Sequence, residues 1–244
     1  MILIPAIDLH EGNCVQLQRG ELSSATKYAS DAGELAKHWV DQGAERLHVV
    51  DLDGAFQGHS VNSKSVEKIL TNVGDIPVQL GGGIRTLSNA SYWLNQGISQ
   101  VIIGTSAIES QGFLEEVADE YPNQVILGLD ARGEFVSTRG WQMDTTVTVS
   151  KTLAEIAEYS LYAIVFTDIE QDGMLTGVNI EATISVLGRT THSVIASGGV
   201  QDLADVRQLH ELSSNYPHLI GAISGTALYE NRLNFQSAQN IFVS

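Results

Sequence analysis

Along the chain, short apolar runs rich in β-branched residues alternate with longer amphipathic stretches. The runs are ILIPAID, RLHVVD, IPVQLG, QVIIG, VILGLD, AIVFTD, SVIAS and LIGAISG, which makes eight strand candidates. Helix signals stand between them. In DAGELAKHWVDQG, Asp31 and Glu34 can form a capping box, Leu35, Ala36, Trp39 and Val40 share one face, and Gly43 ends the element. Such alternation means parallel strands joined by crossover helices. Eight units can close into a (β/α)8 TIM barrel, an α/β fold whose functional groups sit on the loops after the C-terminal strand ends. A length of 244 residues with no linker-like shift in composition suits one domain over 1–244.

The pattern also repeats. PAIDLHEGNCV lies over LGLDARGEFV, placing Asp8 on Asp130, and HVVDLDGAFQGHSVN lies over VFTDIEQDGMLTGVN, placing Val50 on Thr167 and Asp51 on Asp168. QLGGGI matches IASGGV, with Gly82 on Gly198, and VIIGTSAIES matches AISGTALYEN, with Gly104 on Gly225 and Thr105 on Thr226. Four strand ends agree in order, which predicts two similar half-barrels, about 1–122 and 123–244.

A twofold barrel puts the glycine loops after its third and seventh strands on opposite sides of the mouth, each beside a GT turn. Glycine lets the backbone approach an oxyanion, and the helix starts at Thr86 and Asp202 supply free N–H groups and the positive end of a dipole. Asp202 is expected to cap from outside, since an inward carboxylate would repel an anion. In any one loop, glycine serves equally well to relieve crowding at a barrel corner. Two loops paired with two GT turns favour phosphate, one at each end of the ligand, with Thr105 and Thr226 adding hydroxyls.

Asp8 and Asp130 end the first and fifth runs, opposite each other across such a barrel. Either alone reads best as a loop cap. Matched between two anion cups, they read as an acid and a base for proton transfer on a bisphosphorylated sugar derivative, with glycoside cleavage as the competing use of two carboxylates. The seven histidines show no HExxH spacing, and neither GxGxxG nor GxxxxGK occurs, so no metal and no cofactor are expected. Residues 20–30, small and polar without a regular period, and residues 133–148, which carry RGW after the fifth strand, are loops long enough to be candidate lids. Trp141 in the second of these is a stacking platform or, more simply, a hydrophobic plug. Arg19 and Arg85 stand out among few cations.

The net charge is −16, which argues against nucleic acid or an anionic membrane as partner. A single cysteine, Cys14, excludes an intrachain disulfide, and MILIPAIDL lacks the features of a signal peptide. No window reaches the apolar length of a membrane span. A cytoplasmic protein is expected.

IPAIDL, LHVVDLDGA, QLGGGIR, GLD, GW, TDIEQDGML, SGGV and GTALYE together resemble the ProFAR isomerase family of histidine biosynthesis, over nearly the whole chain. The resemblance implies a two-half (β/α)8 barrel performing an Amadori rearrangement, aminoaldose to aminoketose, without a cofactor. Asp130 then looks like the acid that opens the ribose ring, Asp8 like the base that takes the C2 proton, and Thr167 like the hydroxyl that orients the substrate. Gly82, Gly83, Gly104 and Thr105 would hold one phosphate; Ser197, Gly198, Gly199, Gly225 and Thr226 would hold the other. Trp141 would stack on the imidazole, and Arg19, His48, Asp51, Arg85 and Asp172 resemble substrate contacts. The cyclase subunit of imidazole glycerol phosphate synthase is similar but reads IPCLDV where this chain has IPAIDL. A nearer rival is the bifunctional isomerase that also takes phosphoribosylanthranilate, in which an arginine before GW is expected to meet the anthranilate carboxylate; Arg139 holds that position here. A non-catalytic phosphosugar-binding barrel is the remote alternative. Half-barrels that close on each other suit a monomer.

Overall fold

The computed structural model of the chain describes residues 1–18 and 21–242. In chain order the strands are β1 (Ile2–His10), β2 (Asn13–Gln18), β3 (Glu21–Ala29), β4 (Leu47–Asp51), β5 (Val78–Gly81), β6 (Gln100–Ile103), β7 (Val125–Arg132), β8 (Phe135–Thr138), β9 (Met143–Thr148), β10 (Ala163–Asp168), β11 (Val194–Ser197) and β12 (Leu219–Ser224). Eight of them, β1, β4, β5, β6, β7, β10, β11 and β12, pair in parallel in that order, and β12 returns to β1. These are the eight apolar runs. The ring therefore closes and leaves no strand edge within it.

Helices α1 (Ala32–Asp41), α2 (Leu52–Gln57), α3 (Ser63–Asn72), α4 (Leu87–Asn95), α5 (Thr105–Glu109), α6 (Phe113–Glu120), α7 (Val149–Glu155), α8 (Ile180–Leu187), α9 (Leu203–Asn215), α10 (Thr226–Tyr229) and α11 (Phe235–Phe242) fill the connections and the C-terminal end. Their starts follow local chemistry. Asp31 accepts from the backbone N–H groups of Gly33 and Glu34 to begin α1, Thr86 accepts from Asn89 to begin α4, and Asp202 accepts from Ala204 and Asp205 to begin α9. Asp202 thus caps its own helix.

Each barrel strand divides its side chains by parity. On β1, Ile4 and Ala6 join Ile126, Ala163, Val165, Ile195 and Ile223 in an apolar plug inside the ring, while Leu3, Ile7 and Leu9 join the larger core between sheet and helices. The inward row of β1 continues to Asp8. That of β7 runs from Ile126 through Gly128 to Asp130, and that of β10 from Val165 to Thr167. The plug is therefore a floor, and the next inward residue on each of these strands carries chemistry.

The two candidate lids differ from expectation. Residues 21–29 form β3, antiparallel to β2, and 133–148 contain β8 and β9, again an antiparallel pair. Thr26, Lys27 and Tyr28 are exposed in succession on β3, as are Met143 and Asp144 at the start of β9. A strand wetted on both faces has no apolar alternation to betray it. Each hairpin extends a barrel strand beyond the rim: β2 pairs with β1, and β8 pairs with β7.

Candidate active site

Above the apolar plug the ring opens into a cavity lined by Asp8, His48, Asp130, Thr167 and Asp172, and by both glycine loops and both GT turns. Asp8 is held up to about 7, chiefly because it lies deep and secondly because Asp172 is near. Asp172 is pushed to about 6 by burial and then by the charge of Asp130. Burial raises Asp130 as well, against two donors that favour its ionised form, the Trp141 indole and the Thr167 hydroxyl. The indole Nε1 donates to Asp130 Oδ2 at 2.9 Å. Three carboxyls raised by burial in one cavity are suited to moving protons near neutral pH.

His48 is brought down to about 4 by burial and is therefore neutral. Its Nδ1 lies 2.8 Å from Gln79 Nε2, a contact that holds the ring in the inward row.

The glycine loops are shaped by main chain crossing behind them. Gly82 and Gly198 take φ of +95° and +87°. A Cβ on Gly82 would strike the Asp51 carbonyl oxygen, and one on Gly198 would lie 2.5 Å from the Asp168 carbonyl oxygen. The same two aspartates hold their own loops. Asp51 accepts from Gly54 N at 2.9 Å, Val61 N at 2.7 Å, Asn62 N at 3.0 Å and Asn62 Nδ2 at 2.7 Å. Asp168 accepts from Glu170 N at 3.0 Å and Asn179 Nδ2 at 2.6 Å. Asn62 and Asn179, each the second residue of a VN pair, are thus the partners that both aspartates capture.

The GT turns match as closely. Gly104, at φ −106° and ψ −91°, begins α5, and Gly225, at φ −120° and ψ −89°, begins α10; neither helix start has a side-chain cap. Over the first turn lies the β8–β9 hairpin. Arg139 N donates to Thr105 Oγ1 at 2.9 Å, Thr138 Oγ1 donates to Glu109 at 3.2 Å, and the Arg139 guanidinium grips Glu109 at 2.8 Å and 3.2 Å. Arg139, Gly140 and Trp141 are consecutively left-handed, with φ of +57°, +62° and +68°. That tight curl, held down by Glu109, delivers the indole to Asp130. Over the second turn lies the β2–β3 hairpin, where Thr226 Oγ1 donates to Gln16 Oε1 at 3.1 Å.

All the site residues read from the sequence line this one cavity except two. Arg19 lies outside the described residues. Asp51 stands behind the wall, because His48 and Val50 take the inward positions of β4 and parity turns Asp51 outward, 1% exposed and saturated by its four donors. Its side chain braces residues 54 to 62, and its main chain backs Gly82. Residues not anticipated include Gln16 and Phe56, both on the cavity wall. Phe56 also packs where a Cβ on Gly140 would be, 2.9 Å from its ring, so it shapes the curl that carries Trp141.

The comparisons agree with this geometry. The family described as Histidine biosynthesis protein matches residues 2–234. A protein of Methylobacillus flagellatus named 1-(5-phosphoribosyl)-5-((5-phosphoribosylamino)methylideneamino) imidazole-4-carboxamide isomerase is 50% identical over 240 residues, 98% of this chain and 96% of its own. Proteins of the same name from Chromobacterium violaceum and Aromatoleum aromaticum are 46% and 45% identical, covering 99% and 98% of this chain and 98% and 96% of their own lengths.

Proposed function

The chain belongs to the histidine biosynthesis protein family, and on that premise we propose that its cavity isomerises ProFAR, opening the aminoaldose ring and returning an aminoketose. The observation that carries the reading is the placement of Asp8 and Asp130 in one cavity between two glycine loops and two GT turns of matched geometry. Each loop and its turn would hold one phosphate of the substrate through backbone N–H groups and a threonine hydroxyl.

In this reading Asp130 gives its proton to the ribose ring oxygen as the ring carbon–oxygen bond breaks, leaving an open-chain Schiff base. Asp8 then takes the proton from C2, and the resulting enolamine tautomerises to the ketone, so no oxidant or reductant is consumed. Trp141 has a part in the sequence. When the indole leaves Asp130 to stack on the imidazole, Asp130 loses a donor that favours its anion, so its carboxyl holds its proton more firmly and is protonated when the ring oxygen arrives. Asp8, near 7, is balanced for the base role at neutral pH. Thr167 and neutral His48 orient the substrate from the same inward rows.

The state of Arg139 favours a single substrate over a second one bearing an anthranilate carboxylate. Its guanidinium is committed to Glu109, and among the described residues it is absent from the cavity lining. We read the chain as two related half-barrels in one domain, a cytoplasmic monomer that needs no cofactor. Among the described residues no helix is long and apolar enough to cross a membrane.

The test is steady-state turnover of ProFAR and of phosphoribosylanthranilate by the same protein. Turnover of ProFAR alone is expected, with kcat falling about 10²–10⁴-fold in Asp8→Asn and in Asp130→Asn. Full activity in either variant would remove the acid and base assignment. Turnover of both substrates would restore Arg139 as a substrate contact.

A further inference from the structure

The two hairpins occupy equivalent places, which brings an unassigned side chain into view. In β1 and β2 Leu9 pairs with Cys14, and in β7 and β8 Ala131 pairs with Val136, so the offset of 122 that lays Asp8 on Asp130 also lays Gln16 on Thr138. Both residues are buried, at 7% and 2% exposure. Each reaches the GT-turn region of the opposite half, Thr138 to Glu109 and Gln16 to Thr226. Their chemistry differs. Thr138 has one hydroxyl hydrogen, and Glu109 receives it. Gln16 has an amide whose oxygen serves Thr226, while its Nε2, buried on the cavity wall, has no hydrogen-bond partner among the described residues.

A buried amide nitrogen without an acceptor is destabilising unless a ligand supplies that acceptor. The position of this one says what the acceptor is. A Cβ on Gly225 would lie 2.9 Å from Gln16 Oε1 and 3.3 Å from Nε2, so the amide lies directly against the turn. Two N–H donors in an acidic protein, beside a turn that offers its own backbone N–H groups, suit an oxyanion with several acceptor atoms.

We propose that Gln16 is a substrate-binding residue, donating through Nε2 to the phosphate ester held at Gly225 and Thr226 while its Oε1 keeps the Thr226 hydroxyl in place. This rests on the reading of that turn as a phosphate subsite. It also gives the two subsites distinct identities: one is completed by a neutral amide from the first hairpin, the other lies under an ion pair from the second.

The experiment compares wild type with Gln16→Leu and Gln16→Glu by ProFAR kinetics, thermal unfolding, and protection against unfolding by inorganic phosphate. Leucine removes both amide functions at similar volume. Glutamate keeps length and the acceptor for Thr226, but replaces the donor with negative charge. We expect KM to rise about 10- to 100-fold in Gln16→Leu and further in Gln16→Glu, with kcat changed less than about threefold and phosphate protection weakened in the same order. A purely structural brace gives the opposite order, because glutamate preserves the Thr226 bond; Gln16→Glu binding as well as wild type, or better than Gln16→Leu, overturns the proposal. Wild type that fails to turn over ProFAR, yet is protected by phosphate in a Gln16-dependent way, removes the isomerase reading and leaves the subsite standing. Turnover in wild type with all three proteins alike does the reverse.

Discussion

The Gly104–Thr105 and Gly225–Thr226 turns are built on nearly the same backbone angles and stand against opposite walls of one cavity. What lies over them is different. The first is covered by Arg139, whose guanidinium and backbone N–H are both engaged, and by Glu109, whose acid strength is increased by that guanidinium. The second is covered by Gln16, which retains an unused donor. The same backbone shape occurs twice, while the side chains above it differ. A ligand with a phosphate at each end but unlike groups between them needs both properties: two general anchors, and a difference that sets which end goes where.

The most damaging way to probe the likeness is at Gly82 and Gly198. Both are left-handed and press on the main chain of an aspartate behind them. Alanine at either site should destabilise the protein by about 3 kcal/mol or more, since strain and a backbone collision act together. Urea unfolding of the two variants should give matching losses; a large loss at one and none at the other would break the correspondence between the loops.

The carboxyls sharpen the comparison through pH. Asp8 sits near 7 in the folded protein against an ordinary 3.8. Well below 3.8 it is protonated in both the folded and unfolded chain, so it costs nothing; as pH rises toward 7 the unfolded chain ionises while the folded one still holds its proton, stability is lost, and the loss is complete above about 7. Asp8→Asn, which cannot ionise, should be more stable than wild type by about 1–3 kcal/mol at pH 8 and should show little gain at pH 4. Thermal unfolding across that range reads the difference directly. Asp130, which burial also raises, should give a pH-dependent gain of the same sign on the same substitution.

The smallest effect concerns the covers themselves. The Arg139–Glu109 pair is half exposed on the arginine side, so a double-mutant cycle to alanine should return a weak coupling that falls with salt. The corresponding cycle on Gln16 and Thr226, a neutral and buried contact, should return about 0.5–1.5 kcal/mol with no salt dependence. Equal salt responses would erase the contrast between the covers.

Which residues would enter the cavity was written in the strand period. Counting by twos along ILIPAID leads from Ile4 through Ala6 to Asp8, and along VILGLD from Ile126 through Gly128 to Asp130. The same count along LHVVD selects His48 and Val50 for the cavity and turns Asp51 away from it. The hairpins were not legible. Cys14, Val15, Gln16 and Leu17 are all buried in succession, while Thr26 to Tyr28 are all exposed, and neither stretch alternates. Arg139 and Glu109 are 30 residues apart, and no local pattern announces that one would neutralise the other. Their pairing depends on which strands the ring sets side by side.

The indole bonded to Asp130 gives the molecule an optical property. Of the three tryptophans, Trp39 and Trp93 are sealed between helices and sheet, at 5% and 1% exposure, while Trp141 alone stands in the cavity wall. A carboxylate against an indole N–H and a flat heterocycle against its face are different surroundings for the same excited state. Intrinsic fluorescence should therefore follow substrate arrival in real time, with no dye attached and with two silent tryptophans providing a constant background.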